Sequence, residues 1–90
     1  MRAGELIGKG VVTTDGALLG KVSDLIIDLG EWRIKELVIS LNKDAALQLG
    51  LKKLFGSPKV AVSVSYVSGV RDVISLSTDV ASLKSAVRQV

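Results

Sequence analysis

Gly10-Val11-Val12-Thr13-Thr14-Asp15-Gly16-Ala17-Leu18-Leu19-Gly20-Lys21-Val22-Ser23-Asp24-Leu25-Ile26-Ile27-Asp28 is the stretch that decides the fold. Two β-branched runs flank Asp15-Gly16. Gly accepts the positive φ that a tight turn needs, and Asp tolerates it. Val11-Val12-Thr13 is therefore expected as a first strand and Leu19 to Leu29 as a longer second one. Side chains alternate along a strand. Strict alternation puts Val22, Asp24, Ile26 and Asp28 on a mixed face and Ser23, Leu25, Ile27 and Leu29 on an apolar one.

Downstream, Gly30-Glu31 reverses the chain into a third strand, Trp32 to Leu41. Leu37, Ile39 and Leu41 share a face with the stems of Arg33 and Lys35, while Ile34, Glu36, Val38 and Ser40 lie opposite. Both strands thus carry one strongly apolar face and a second with scattered apolar residues, as when a sheet packs inward and also meets another surface. From Asn42 to Pro58 the β pattern breaks. Asp44-Ala45-Ala46-Leu47 starts a helical turn, and Leu47, Leu51, Leu54 and Phe55 recur at helix-like spacing. Gly50 and Gly56 keep any helix short, so an irregular loop with one or two helical turns is expected.

Lys59 to Tyr66 alternates again, with Val60, Val62, Val64 and Tyr66 on one side, and Val73 to Leu76 makes a final strand. Ser77, Thr78 or Asp79 can cap a terminal helix over residues 79–90 with the stripe Val80, Leu83, Val87 and Val90. Lys84 and Arg88 fall near its C-terminal end, where the helix dipole favours them. This helix is expected to cover an open end of the barrel. The fold class so read is all-β: a small barrel of about six short antiparallel strands with a short C-terminal helix. Residues 1–90 form a single domain, with the barrel over 4–77.

The 90 residues are 48% hydrophobic and 23% charged, with one proline. That composition folds. So much apolar surface exceeds what one small core hides, which implies self-association or a partner. Twelve Lys and Arg against nine Asp and Glu give a net charge of +3, interspersed rather than segregated. Only Lys43, Lys52, Lys53 and Lys59, opposed by Asp44, form a locally basic segment, whereas a dedicated nucleic-acid binder concentrates its cations on one face. Leu6-Ile7 is interrupted by Gly8-Lys9-Gly10, so no signal peptide is expected, and no window reaches the roughly 20 apolar residues of a membrane span. A cytoplasmic protein is expected.

The chain contains no His and no Cys. The commonest general base, the soft metal ligands and the thiol nucleophile are therefore missing. Asp24 and Asp28 are the one candidate carboxylate pair, but four residues on a strand separate them by about 13 Å. Gly4 to Lys9 lacks the spacing and the Ser or Thr of a Walker loop, and Gly8-Lys9-Gly10 lacks the third glycine of a dinucleotide fingerprint. Trp32, Phe55 and Tyr66 are too few and too dispersed for a base-stacking platform. The expectation is a non-enzyme without cofactor, metal or small-molecule substrate. Its interaction surface is placed at Leu37, Ile39 and Leu41 with Lys52, Lys53 and Phe55.

The opening stretch, with Asp15-Gly16 followed by Leu19-Gly20-Lys21-Val22, Asp24 and an apolar strand, resembles the start of a PRC-barrel domain. Val60 to Leu76 is similar to that family's closing strands. Together they extend the resemblance over about residues 4–77. Asp15, Gly16, Gly20, Asp24 and Asp28 are its motif positions, with structural roles. The family includes the photosynthetic reaction-centre H subunit, the C-terminal part of the ribosome maturation factor RimM, and stand-alone archaeal proteins; this chain most resembles the last. The resemblance implies a PRC-type barrel and a homodimer or a heterodimer with a paralogue. It further implies an adaptor role among the division ring protein FtsZ and its membrane anchor SepF, with membrane contact only indirect and recruitment to the division site. The alternative is an RNA- or ribosome-linked accessory resembling the C-terminal domain of RimM.

Overall fold

A computed structural model describes residues 1–51 and 57–90. Lys52, Lys53 and Phe55 lie outside the described residues. A 3-10 turn at Ala3–Glu5 leads into β1 (Gly10–Val12), β2 (Leu18–Asp28) and β3 (Arg33–Leu41). Helix α1 (Lys43–Gln48) follows, then β4 (Lys59–Ser63), β5 (Val67–Val70) and β6 (Val73–Leu76). Helix α2 (Val80–Leu83) and β7 (Arg88–Gln89) end the chain.

The strands form one seven-stranded sheet in the order β5-β6-β1-β2-β3-β4-β7. Every neighbouring pair is antiparallel except β1 with β6. The expected small barrel of about six short antiparallel strands is thus, among the described residues, a mixed sheet of seven that does not close. The chain leaves β4 through a 3-10 turn at Val64–Tyr66, where the Ser63 hydroxyl accepts the Ser65 N–H at 3.2 Å. It then joins the far edge of the sheet by pairing with β6. The gap between the two edges is bridged by a turn rather than by a ladder.

The C-terminus departs from expectation too. Asp79 caps α2 as anticipated, its carboxylate accepting the Ser82 N–H at 2.7 Å, and Val80 and Leu83 are buried. But the helix stops at Leu83, and Arg88 pairs with Ala61 at the edge of β4, with Val90 donating to the Lys59 carbonyl at 3.0 Å. The unpaired backbone of β4 outcompetes one more turn of a Ser- and Val-rich helix, whose intrinsic propensity is low. Val90 accordingly ends exposed.

The core gathers Val11, Leu19, Val22, Ile39, Leu41 and Ile74 with Leu83 from α2. Asn42 caps α1, accepting the Ala45 N–H at 2.8 Å and donating to the Leu18 carbonyl at 2.6 Å. This orients Ala45, Ala46 and Leu49 inward, while Leu47 is exposed. Ser23 is an extra residue in β2, between the pairs Val22↔Ile39 and Asp24↔Val38. The bulge moves Leu25 to the side of Val22, so the strictly alternating faces expected for β2 do not hold. Leu25 meets Leu37, and Leu37 meets the buried Val62.

Gly20 sits opposite both Val11 and Leu41, with φ +152°. A Cβ there would run into the Ser40 carbonyl, whereas Gly16 (φ +79°), in the Asp15 turn, has open space around it. Gly16→Ala is expected to cost about 1 kcal/mol, the conformational penalty alone. Gly20→Ala should cost several-fold more, because it adds a backbone collision; urea unfolding of both variants measures the difference. Asp79 supplies a pH test. The Ser82 backbone N–H, then its hydroxyl, hold this carboxyl below its ordinary value of 3.8. A depressed folded-state value stabilises the fold above the unfolded value and loses that contribution as pH falls through the folded one. Thermal unfolding across the acid range should therefore show a shallower acid loss for Asp79→Asn than for the parent.

Candidate interaction surface

The β2–β3 ladder runs from Gly20↔Leu41 to Asp28↔Arg33, but its neighbours are shorter. On one side the backbone contacts of β2 end where Val22 bonds Gly8 and Lys9. On the other, β4 reaches no further than Glu36. Ile27, Asp28, Arg33 and Ile34, with the turn between them, thus stand beyond the sheet as a two-stranded arm. Such a ribbon is only marginally stable by itself, and this one is braced. Lys35 bulges between Ile26↔Glu36 and Ile27↔Ile34, increasing the local twist. At the tip, one Asp28 carboxylate oxygen accepts the Gly30 N–H at 2.9 Å and the Glu31 N–H at 3.3 Å.

The arm is apolar where it is barest. Ile27 is 54% exposed, Leu29 68% and Trp32 81%. Trp32 is also the only non-glycine residue with positive φ, +54°, among the described residues, a conformation that is costly for a bulky L-residue. Glu31 and Arg33 flank it and pair with each other at 2.7 Å.

Beside the arm lies a groove of about 360 Å³ at the unclosed seam of the sheet. Ile34 and Leu37 of β3 form one wall, and Val64, Val67 and Val70 the other. Leu6 and Ile74 complete it, with no charged residue in the lining. On the opposite face of the sheet Val38 and Ala61 pair, near the Arg88–Glu36 ion pair at 2.7 Å.

The surface differs from the expected one. Leu37, Ile39 and Leu41 are 2%, 0% and 1% exposed and belong to the core. Ile39 and Leu41 thus spend their side chains inside the molecule, while Leu37 also lines the groove. Among the motif residues, Asp15 accepts a hydrogen bond from the Thr13 hydroxyl within the first turn, and Gly16 and Gly20 take positive φ. Asp24 is exposed and accepts the N–H of Leu25 at 2.8 Å, while Asp28 organises the arm's tip. Asp24 and Asp28 serve neighbouring backbone N–H groups, and Asp15 a neighbouring hydroxyl. Among the described residues no three His, Cys, Asp or Glu gather as metal ligands, and no helix is long and apolar enough to cross a membrane.

Residues 1–83 match the family model of the PRC-barrel domain, and the chain belongs to that family. A search of curated proteins finds no match. The domain is a small interaction module, and this one leaves apolar surface uncovered at the arm and groove and also at Leu18, Leu47 and Val73.

Core and surface assignments separate under one substitution. Leu37→Asp buries an uncompensated charge, which costs about 3–5 kcal/mol or more, a large share of a typical domain's stability. The chain should lose its cooperative melt and near-native circular dichroism. Leu29→Asp, on the arm, should change stability by under about 1 kcal/mol. Equal melting temperatures for the two variants would contradict the assignment.

Proposed function

We propose that this protein is a non-enzymatic adaptor that pairs with a second copy of itself or with a paralogous PRC-barrel protein. Its setting is FtsZ-based cell division, with SepF and FtsZ the machinery it serves. The observation that carries the pairing is the arm, which displays Ile27, Leu29 and Trp32 to solvent at the margin of an apolar groove. Apolar side chains exposed beside an apolar groove point to an interaction site. Trp is moreover the residue type most enriched among those that dominate binding energy. The absence of His and Cys from the sequence favours an adaptor over a catalyst. The division setting rests on the resemblance to stand-alone archaeal members of the family and places the protein in the cytoplasm, recruited to the division site through its partners.

The test is affinity purification of the tagged protein from its native cells, with and without ribonuclease, followed by mass spectrometry. Division proteins or a second PRC-barrel protein, recovered equally in both arms, are the expected result. Ribosomal proteins lost on ribonuclease treatment would transfer the protein to RNA-linked accessory work, driven by Lys43, Lys59 and the basic pair between them. Such binding would also weaken steeply with salt.

A further inference from the structure

We infer that β7 is a releasable guard of the β4 edge, and that its release opens this edge to an extended, basic segment of another protein. The inference concerns a different surface from the arm and groove and stands whether or not those pair. Among the described residues, β7 is the only strand on the outer edge of β4. Alternation fixes which groups meet there. The Val90 N–H donates to the Lys59 carbonyl at 3.0 Å, so Lys59 and, two residues on, Ala61 turn their backbone groups toward β7. Ser63, next in that series, lies beyond the guard, whose pairing covers Val60↔Gln89 and Ala61↔Arg88. Before Arg88 the chain has left the edge, since the Ala86 and Val87 N–H groups both bond the Leu83 carbonyl.

The guard is weakly held. Arg88 and Gln89 are both exposed, and the Arg88–Glu36 ion pair at 2.7 Å leaves the arginine side chain 59% exposed. Exposed ion pairs add little stability. Segments with few buried apolar contacts open well below the free energy of global unfolding. β4 does not follow β7 off the sheet, because β3 pairs with all five of its residues and Val60 and Val62 lie in the core. What now sits on the edge defines what can replace it. A bare edge is a template for an extended chain, and Glu36 narrows the choice. Its side chain is only 16% exposed and meets the guanidinium of the residue paired with Ala61. A replacing strand therefore carries Arg or Lys opposite Ala61, and an acid at that place is rejected by like-charge repulsion.

Hydrogen exchange on the intact chain tests the release. The Ala61 amide, which faces β7, should exchange on the order of 100-fold faster than the Val62 amide, which faces β3. Fluorescence anisotropy tests the replacement, with a labelled peptide of alternating Thr and Val carrying one central Arg, and a twin with Glu in its place. The chain lacking residues 88–90 should bind the Arg peptide at least about tenfold more tightly than the full chain does, and should prefer it to the Glu twin by about tenfold. Glu36→Gln should erase that preference. Arg88→Pro, which removes both the N–H facing Ala61 and the cation, replaces the deletion if circular dichroism shows the deleted chain unfolded. Equal protection of Ala61 and Val62, equal binding by guarded and unguarded chains, indifference to peptide charge, or unfolding of both variants would each overturn the inference. So would a dimer of the full chain that the deletion of 88–90 dissociates, because the replacing strand would then be this chain's own.

Discussion

Everything in this fold hangs on the passage of β2 past Gly20. The strand must pair with β1 on one edge and β3 on the other while bending between them, and at Gly20 the backbone of Ser40 and Leu41 approaches so closely that no side chain fits. The residue before it, Leu19, is skipped in the β1 register, between Val11↔Gly20 and Val12↔Leu18. The bulge and the glycine together concentrate curvature at one point, as in the corners of small barrels. The fully buried Leu19 side chain anchors that corner in the core. Asn42 then ties it to the start of α1 through the Leu18 carbonyl. Without the bend the sheet would be flatter, and Leu41, Leu83 and Ile74 would not converge on one interior.

The same curvature explains why the sheet curls without closing. β4 contributes only five residues before the 3-10 turn at Val64–Tyr66, and β5 bonds to β6 at the opposite edge. Two edges are left, and they are managed differently. The β4 edge is covered at Val60 and Ala61 by the short β7, which is why the terminal helix gives way to a strand. The β5 side retains the groove. Its wall residues Val64, Val67 and Val70 pack against the core while remaining partly accessible.

The sequence made the turn chemistry and most strand positions legible. Asp15-Gly16 reads as a turn because Gly16 needs positive φ there, and the valine alternation of β4 survives as Val60 and Val62, both fully buried. Periodicity was blind to register. One extra residue at Ser23 exchanges the faces of β2, and no composition rule marks which residue of a strand will bulge. Burial of β3 escaped for a related reason. A single chain was expected to leave apolar strand faces for a partner, yet curvature let Leu37, Ile39 and Leu41 all turn inward against Val22, Val60 and Val62. The exposed surface moved to the tip, where Leu29 and Trp32 flank Gly30-Glu31. The available signal was one of length: β2 and β3 span eleven and nine residues, while β4 has five and β5 four. A hairpin much longer than its neighbours must overhang them.

That overhang links fold to function. Ile27, Leu29 and Trp32 lie outside the buried core and leave much of their apolar surface exposed, which invites association. The hairpin continues past Glu36, where β4 ends, and carries a tryptophan at positive φ on its tip. Asp28 braces the overhang: its carboxylate accepts two backbone N–H groups of the turn that carries Leu29 and Trp32. Preorganisation of this kind lowers the entropy lost on association, which matters most for a small module whose contact area is limited. The chain carries its chemistry in shape and apolar area, placed where curvature left the sheet open.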